Sequence, residues 1–258
     1  MTSSNQDPYI DPASGILRNK LRAVTREELK TWEAGAVAWR ALQLDEQPIT
    51  GRYDFAHLKA IHHHLFQDVY DWAGQTRTVN ISKGEWFFPH HRIDMGAANI
   101  FAELAHQNYL KGLEPDLFIR RLAATFDQIN HLHPFREGNG RTQRIFTSQL
   151  AANAGYHVHW EHLDPHRNIE ASRDGEMTLR AMFRDITTPI TRENPASRHA
   201  SRSIEPGKAR QADIIAAAHP KPISEMLKTS RTNRHNSNQH RSLPAAPQAT
   251  AANANQKQ

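Results

Sequence analysis

The chain has 258 residues, no cysteine, and 32 basic against 27 acidic residues, which gives a formal net charge of +5 at neutral pH. The basic excess lies at the end, because residues 195–258 hold ten of the lysines and arginines but three of the acidic residues. This composition excludes a disulfide framework and a thiolate metal site, and no apolar run is long enough to span a membrane. We therefore expect a cytoplasmic protein without membrane insertion, whose folded part is slightly acidic.

The first 49 residues predict an extended arm followed by one helix that packs on the core. Residues 7–21 contain two prolines and a glycine among scattered apolar side chains, so this segment should wrap as an arm. Thr25 and Glu28 have the spacing of a capping box, which predicts a helix that begins there and runs to about Leu44.

A second helix and a β-hairpin are predicted next. Asp54 is placed to cap a helix whose apolar residues recur at helical spacing through residue 66. Residues 76–81 alternate with β-branched side chains and predict a strand, while residues 82–85 are a turn candidate before the aromatic run at residues 86–88. The pattern alone leaves open whether this hairpin is an ordinary sheet edge or part of a site.

Four more helices are predicted, near residues 93–110, 114–132, 139–154 and 176–186. In the second of them an apolar stripe ends next to His133, and it is formed by Phe118, Leu122, Phe126 and Ile129. Gly155 is positioned as the C-terminal stop of the third.

The most informative run is residues 133–144, His-Pro-Phe-Arg-Glu-Gly-Asn-Gly-Arg-Thr-Gln-Arg. Gly138 and Gly140 allow the backbone to approach an anion closely at the start of a helix. Arg141 and Arg144 are three residues apart, so they should project from one helix face and bind phosphate oxygens.

The same run also contains a base and a hard oxygen ligand. His133 is titratable near neutral pH, and Glu137 could help to hold Mg²⁺ beside bound phosphates. The run is not a P-loop, because the Gly-Lys-Ser/Thr ending is missing. We interpret it as a site for a nucleoside triphosphate.

This run fits the Fic-domain pattern His-x-Phe-x-Asp/Glu-Gly-Asn-Gly-Arg-x-x-Arg at every specified position. The chain therefore resembles Fic-domain protein adenylyltransferases, in particular short bacterial Fic toxins regulated by a separate antitoxin. The resemblance implies a mainly α fold, a helical bundle with a β-hairpin flap over the active-site loop. The Fic domain would occupy residues 50–190, between the segment 1–49 and a basic, disordered tail at residues 191–258.

The resemblance also implies roles for individual residues. His133 would be the general base with a pKa near the working pH, Phe135 the anchor of the loop, and Glu137 the ligand of Mg²⁺. The residues implied to bind the phosphates of ATP are Arg136, Gly138, Asn139, Gly140, Arg141, Thr142 and Arg144. The resemblance further implies that Asn139 stabilises the charge that develops on the phosphoryl oxygens. The flap residues implied to dock the target protein are Ile81, Ser82, Lys83 and Gly84.

The implied reaction moves AMP from ATP to a Ser, Thr or Tyr hydroxyl of a target protein. Relatives of this kind modify the ATPase subunits of type II topoisomerases, which makes those the first candidate targets. Two alternatives stay open: transfer of another nucleotide or a moiety such as that of CDP-choline, and a nucleotide-binding interaction module whose chemistry is incidental.

Regulation of Fic enzymes commonly uses a helix with the pattern Ser/Thr-x-x-x-Glu-Gly/Asn. Ser172 with Glu176, and Ser201 with Glu205, have the right spacing but are followed by methionine and proline. We therefore expect inhibition by a separate small antitoxin whose glutamate pairs with Arg144.

Two features are left without an assigned function. The basic tail could be a solvated segment, a nucleic-acid tether or a C-terminal export signal. The histidine clusters lack a complete zinc signature, and we interpret them as structural or solvated; they are residues 62–64, residues 90–91, and His157, His159, His162 and His166.

Overall fold

The computed structural model describes residues 7–163 and 165–190, and this part of the chain is mainly helical. The helices are α1 (Arg26–Glu46), α2 (Phe55–Phe66), α3 (Ile93–His106), α4 (Pro115–Leu132), α5 (Asn139–Asn153), α6 (Pro165–Asp174) and α7 (Glu176–Ile186). Two small antiparallel sheets pair β1 (Ser82–Lys83) with β2 (Glu85–Trp86) and β3 (Tyr156–Val158) with β4 (Thr187–Pro189).

The mainly α prediction is confirmed, and the tail predicted at residues 191–258 lies outside the described residues. Within residues 7–163 and 165–190, no helix is both long and apolar enough to cross a membrane.

The predicted caps of the first two helices are confirmed. The Thr25 hydroxyl accepts from the Glu28 amide at 3.2 Å, and the Glu28 carboxylate accepts in return from the Thr25 amide at 3.3 Å. The Asp54 carboxylate accepts from the amide of His57 at 2.8 Å. Each cap satisfies backbone amides that the first helical turn leaves without partners, so local sequence fixes where these helices begin.

Helix α4 lies at the centre of the core and packs against α3, α5 and α7. Its predicted apolar stripe is confirmed, since Phe118, Leu122, Phe126 and Ile129 are each no more than 3% exposed. Burying one such side chain contributes about 1.5–3 kcal/mol relative to exposure. The end of α4 is therefore a rigid support for the residues that follow it.

The hairpin differs from the prediction. Its strands lie at residues 82–83 and 85–86, mostly within the segment predicted to be the turn, with Gly84 at a φ of +86° between them. Residues 76–81 form no strand. The reason is that the Arg77 side chain, rather than a partner strand, donates hydrogen bonds to nearby carbonyl oxygens. The Arg77 amide likewise donates to Pro134 O at 2.8 Å. An alternating sequence does not show this competition from a buried side chain.

Two further predictions need correction. Helix α3 ends at His106, and a short 3₁₀ turn at Asn108–Leu110 follows, because residues 108–110 adopt positive φ values of 51–63° that an α-helix cannot contain. Helix α6 was not predicted, nor was the pairing of β3 with β4, which joins two segments that are far apart in the chain. The predicted helix at residues 176–186 is confirmed as α7, and Gly155 follows the end of α5 with a φ of +90°.

Candidate active site

The position of His133 follows from the end of α4. Its amide donates to Ile129 O at 3.1 Å, and its φ of +43° is left-handed. A residue with a Cβ rarely adopts this conformation, which persists where the surroundings enforce it. The helix therefore stops at a fixed residue, and the loop to α5 begins there.

Arg77 enforces that turn, although the sequence analysis did not single it out. Its buried guanidinium donates to the carbonyl oxygens of His133 and Val79, each at 2.8 Å, and also to those of Leu132 and Phe88. Burial lowers the pKa of Arg77 to about 10, so the group remains charged at neutral pH. One cation thus joins the end of α4 to the segments that flank the flap.

The His133 ring is held in the form that a general base requires. Its Nδ1 lies 3.0 Å from Asn130 O; since a carbonyl oxygen only accepts, Nδ1 carries the proton and Nε2 keeps its lone pair. The ring stacks on Phe87 with centroids 3.7 Å apart. Burial lowers the pKa of His133 to about 4, and the charges of Arg77 and Lys83 also lower it. The predicted pKa near the working pH is wrong, and the ring is neutral at pH 7.

Phe135 and Asn139 hold the loop from below. Phe135 is 1% exposed, and its ring lies parallel to that of His62 with centroids 3.8 Å apart. The His62 Nε2 donates to Glu137 O at 3.0 Å, and its Nδ1 accepts from the Gly74 amide at 2.7 Å. The Asn139 side chain accepts from the Phe135 amide at 2.9 Å and donates to Phe135 O at 2.7 Å. Asn139, expected to stabilise charge on the phosphoryl oxygens, thus uses its amide to close the loop.

Gly138 is required at the start of α5 by conformation and by space. Its φ is +81°, and a Cβ there would lie 2.2 Å from the Phe66 ring. The Thr142 hydroxyl is buried and donates to Gly138 O at 3.0 Å, so Thr142 bonds to its own helix and lies outside the cavity, contrary to its expected phosphate role. Gly138, Asn139 and Gly140 line the cavity, where the amides and dipole of a helix N-terminus favour an anion.

The two arginines of the motif occupy different environments. Arg144 lines the cavity, is 8% exposed, and its Nε has no hydrogen-bond partner among the described residues. Burial lowers the pKa of Arg144 to about 10, and the neighbouring charge of Arg141 adds to this, yet it stays cationic at pH 7. Both arginines were expected to project together into one phosphate site, but Arg144 lines the cavity and Arg141 does not.

Arg141 lies behind the loop and does not line the cavity. Its guanidinium forms an ion pair with Glu33 of α1, lies 3.4 Å from a carboxylate oxygen of Glu137, and covers the Phe66 ring at 4.7 Å. The Tyr70 hydroxyl also donates to Glu33; burial first, and then the Glu33 charge, raise the pKa of Tyr70. Glu33 is buried and was missed by the sequence analysis, because 108 residues separate it from Arg141.

Glu137 presents a carboxylate to the cavity. Its side chain is 45% exposed, and Oε1 accepts from the Gly138 amide at 2.9 Å. A single hard oxygen ligand of this kind suits Mg²⁺, which keeps several waters and takes its other ligands from phosphates. Arg136 also lines the cavity, but its guanidinium pairs with Asp7 of the N-terminal arm at 2.8 Å, so it is committed to a protein partner.

The cavity has a volume of about 820 Å³, within the range of small-molecule sites. Beyond the motif, its walls include five residues that the sequence analysis did not propose, namely Asp127, Asn130, His131, Ser172 and Arg173. They come from the end of α4 and from α6, which the motif does not cover. Burial raises the pKa of Asp127, and the nearby Glu176 carboxylate raises it further.

The flap forms the opposite wall. Lys83 and Gly84 line the cavity, together with residues 85–87. Ile81 and Ser82 do not line it: Ile81 O accepts from the Phe87 amide at 3.2 Å, and Ser82 pairs with Trp86 across the hairpin. The four flap residues are therefore divided between the cavity wall and the hairpin's own structure.

Of the two segments with partial inhibitory spacing, the first lies among the described residues, and it is not one continuous helix. Ser172 lies in α6, Glu176 begins α7, and Gly175 between them has a φ of +85°. The pair of Ser201 with Glu205 lies outside the described residues.

Comparisons with known proteins agree with this geometry. The family model described as the Fic/DOC family matches residues 52–151. The probable protein adenylyltransferase Fic of Escherichia coli is 38% identical over 67% of this chain and 86% of its own length. The chain belongs to the Fic/DOC family. The protein adenylyltransferase VbhT of Bartonella schoenbuchensis is 40% identical over 65% of this chain, but that match spans 35% of VbhT.

Solved structures show the same fold. The N-terminal Fic domain of a VirB-translocated effector from Bartonella quintana, with bound ADP, has a TM-score of 0.66 at 30% identity and matches 70% of this chain and 94% of that one. The predicted Fic fold and the predicted enzyme class, a Fic-type nucleotidyltransferase, are confirmed. The domain limits at residues 50–190 and the roles of individual site residues stay predictions.

Proposed function

We propose that this protein transfers AMP from ATP to a hydroxyl group of a target protein. The observation that carries the proposal is that one cavity holds a neutral histidine with a free Nε2 lone pair, the N-terminus of α5 and the cationic Arg144. Curated relatives are named protein adenylyltransferases, and one structural neighbour contains ADP. These names support the donor and the reaction type.

In the proposed reaction, the amides at the start of α5 and the Arg144 guanidinium bind the phosphate chain. The Nε2 of His133 takes the proton from the target hydroxyl as its oxygen attacks the α-phosphorus. The bond between the α-phosphorus and the bridging oxygen breaks, and pyrophosphate leaves. Glu137 would hold Mg²⁺, which neutralises phosphate charge when bound.

Binding of ATP changes the environment of the base. Burial lowers the pKa of His133 to about 4, and the charges of Arg77 and Lys83 lower it further. The negative charge of a bound triphosphate opposes those groups and raises this pKa. Bound ATP would therefore make His133 a stronger base.

The proposed entry of the target is along the flap. Strands β1 and β2 are exposed and two residues long, so their backbone groups are accessible to an extended segment of another protein. Trp86 is 71% exposed beside the cavity and offers an apolar contact. Strand-like pairing here would bring a Ser, Thr or Tyr hydroxyl toward His133.

The biological setting is proposed as a toxin with a separate antitoxin, acting in the cytoplasm on the ATPase subunits of type II topoisomerases. Arg144 is a suitable contact for an inhibitory glutamate, since its Nε is buried without a described partner. Expression of the chain alone should arrest growth, and co-expression of the antitoxin should restore it. Growth arrest that is independent of His133 would contradict this setting.

The direct test uses purified chain, Mg²⁺, a topoisomerase ATPase subunit, and ATP labelled with ³²P at either the α- or the γ-phosphate. We expect label on the target from α-labelled ATP alone. The His133→Ala variant should lose labelling, while the matched variant His106→Ala, at an exposed position at the end of α3, should retain it. Label from the γ-phosphate, or label that survives His133→Ala, would show a different reaction. If other nucleotides or CDP-choline label the target better than ATP, the alternative donor is correct.

A further inference from the structure

A histidine cluster lies on the small sheet formed by β3 and β4, outside the cavity. His157 belongs to β3, and His159 follows one residue after that strand ends. Because they are two residues apart in extended chain, both side chains point to the same side. Their rings are in contact, edge to face, with centroids 4.2 Å apart. Because no complete zinc pattern surrounds these residues in the sequence, they were predicted to be structural or solvated.

The fold adds a carboxylate that the spacing alone did not reveal. Glu161 lies in the 3₁₀ turn Trp160–His162, and its Oε1 is 2.8 Å from the Nδ1 of His159. The ligand atoms offered by His157, His159 and Glu161 all lie within 4.8 Å of one another. Each of the three side chains is at least partly exposed, so an ion in solution can reach them.

The second strand supplies a further partner. In the antiparallel register Thr188 is directly opposite His157, and the two side chains therefore share one face of the sheet. The Thr188 hydroxyl lies 2.9 Å from the Nε2 of His159. When a metal replaces the proton on Nδ1, Nε2 must carry a proton, and the Thr188 hydroxyl is placed to accept a hydrogen bond from it. Ligating histidines characteristically have such a partner on their second nitrogen, which fixes the tautomer and ring orientation.

We propose that His157, His159 and Glu161 form a binding site for a borderline divalent cation of the Zn²⁺ type, with water completing the coordination. Two imidazoles and one carboxylate are the donors that Zn²⁺ accepts, whereas Mg²⁺ prefers oxygen ligands alone. The site would tie β3 to the turn that follows it. It is separate from the Mg²⁺ site proposed at Glu137.

The test is calorimetric titration of the full chain with Zn²⁺ in the absence of nucleotide. We expect one strong site per chain that releases protons on binding and raises the melting temperature. With Co²⁺, visible absorption bands of a site with nitrogen ligands should appear. His157→Ala and His159→Ala should remove the strong site. Glu161→Gln, which preserves the shape of the side chain, should weaken it.

Thr188→Val distinguishes a built site from incidental binding to surface histidines. This variant leaves all three ligands in place and removes the hydroxyl behind His159, so affinity should fall by about 10- to 100-fold. His106→Ala and Glu137→Gln are the controls and should bind Zn²⁺ as the unchanged chain does. Circular dichroism of each variant confirms that it folds.

Two outcomes would overturn the proposal. One is the absence of a strong Zn²⁺ site in the unchanged chain. The other is a strong site that persists in folded His159→Ala or Glu161→Gln protein, which would place the ion on other histidines.

Discussion

The loop between α4 and α5 and the flap opposite it face the same cavity but are built in opposite ways. The loop is fixed by buried groups: Arg77 holds its first residue, Phe135 and His62 stack beneath it, and Arg141 is tied to Glu33. The flap is two strands of two residues, all exposed. The groups proposed to act on the nucleotide thus have fixed positions, while the surface proposed to meet the target has few internal constraints.

The largest effect should come from breaking the support of the loop at Glu33. Glu33→Ala leaves the guanidinium of Arg141 mostly buried without its main partner, and breaking a buried pair costs about 3–5 kcal/mol. We expect a matching loss in the free energy of unfolding, measured with urea, together with reduced kcat. Glu27→Ala, in the exposed first turn of the same helix, is the control and should change both quantities little. Equal stability of the two variants would show that the loop does not depend on α1.

Removing a loop group that faces the ligand should affect catalysis more than folding. Arg144→Ala deletes the cavity-lining cation, and loss of one preorganised charge-stabilising group typically lowers kcat by about 10²–10³-fold. We expect that loss in AMP transfer with a melting temperature close to that of the unchanged chain. An unchanged rate would show that Arg144 does not bind the phosphates.

His62 beneath the loop and His133 at its start should make stability depend on pH. In the folded chain the pKa is about 4 for His133 and about 3 for His62, against about 6.5 in the unfolded chain. The unfolded state therefore binds more protons below pH 6.5, and stability falls as pH decreases from about 6.5 toward 4, by up to about 1.4 kcal/mol per pH unit for each histidine. His62→Gln should make the urea midpoint depend less on pH across this window. Parallel pH profiles for the two proteins would argue against the buried neutral His62.

The smallest effect on folding should come from the flap. Trp86→Ala removes a side chain that is 71% exposed, so the free energy of unfolding should change by less than about 0.5 kcal/mol. The KM for the protein target should rise, while the KM for ATP should stay the same. Met177→Ala, at another exposed apolar side chain, serves as the comparison. A change in the KM for ATP would assign Trp86 to the nucleotide instead.

Features set by neighbouring residues were predictable from the sequence. The capping residues Thr25 and Asp54, the buried stripe of α4 and the helix after Gly138 depend on contacts a few residues apart, which spacing reveals. The motif likewise indicated the fold through its resemblance to the Fic family. These are the parts of the structure in which local sequence and tertiary structure agree.

Features set by distant residues were not predictable. Nothing near Arg141 in the sequence indicates that its charge is paired with Glu33, and nothing near Arg77 indicates that it binds four carbonyl groups. The pairing of His157 with Thr188 likewise depends on how α7 returns the chain to β3. Such contacts are specified by packing, which spacing within one segment cannot report.

The ion pair between Glu33 and Arg141 determines what happens when the chain is cut into two fragments. A cut between α1 and α2 would leave one fragment with the whole loop between α4 and α5, together with Arg141, and the other with the buried carboxylate of Glu33. Neither fragment should work alone, and mixing them should restore the enzyme as they reassociate. Fusing each piece to one of two interacting proteins would then give a split reporter, in which AMP transfer records their encounter.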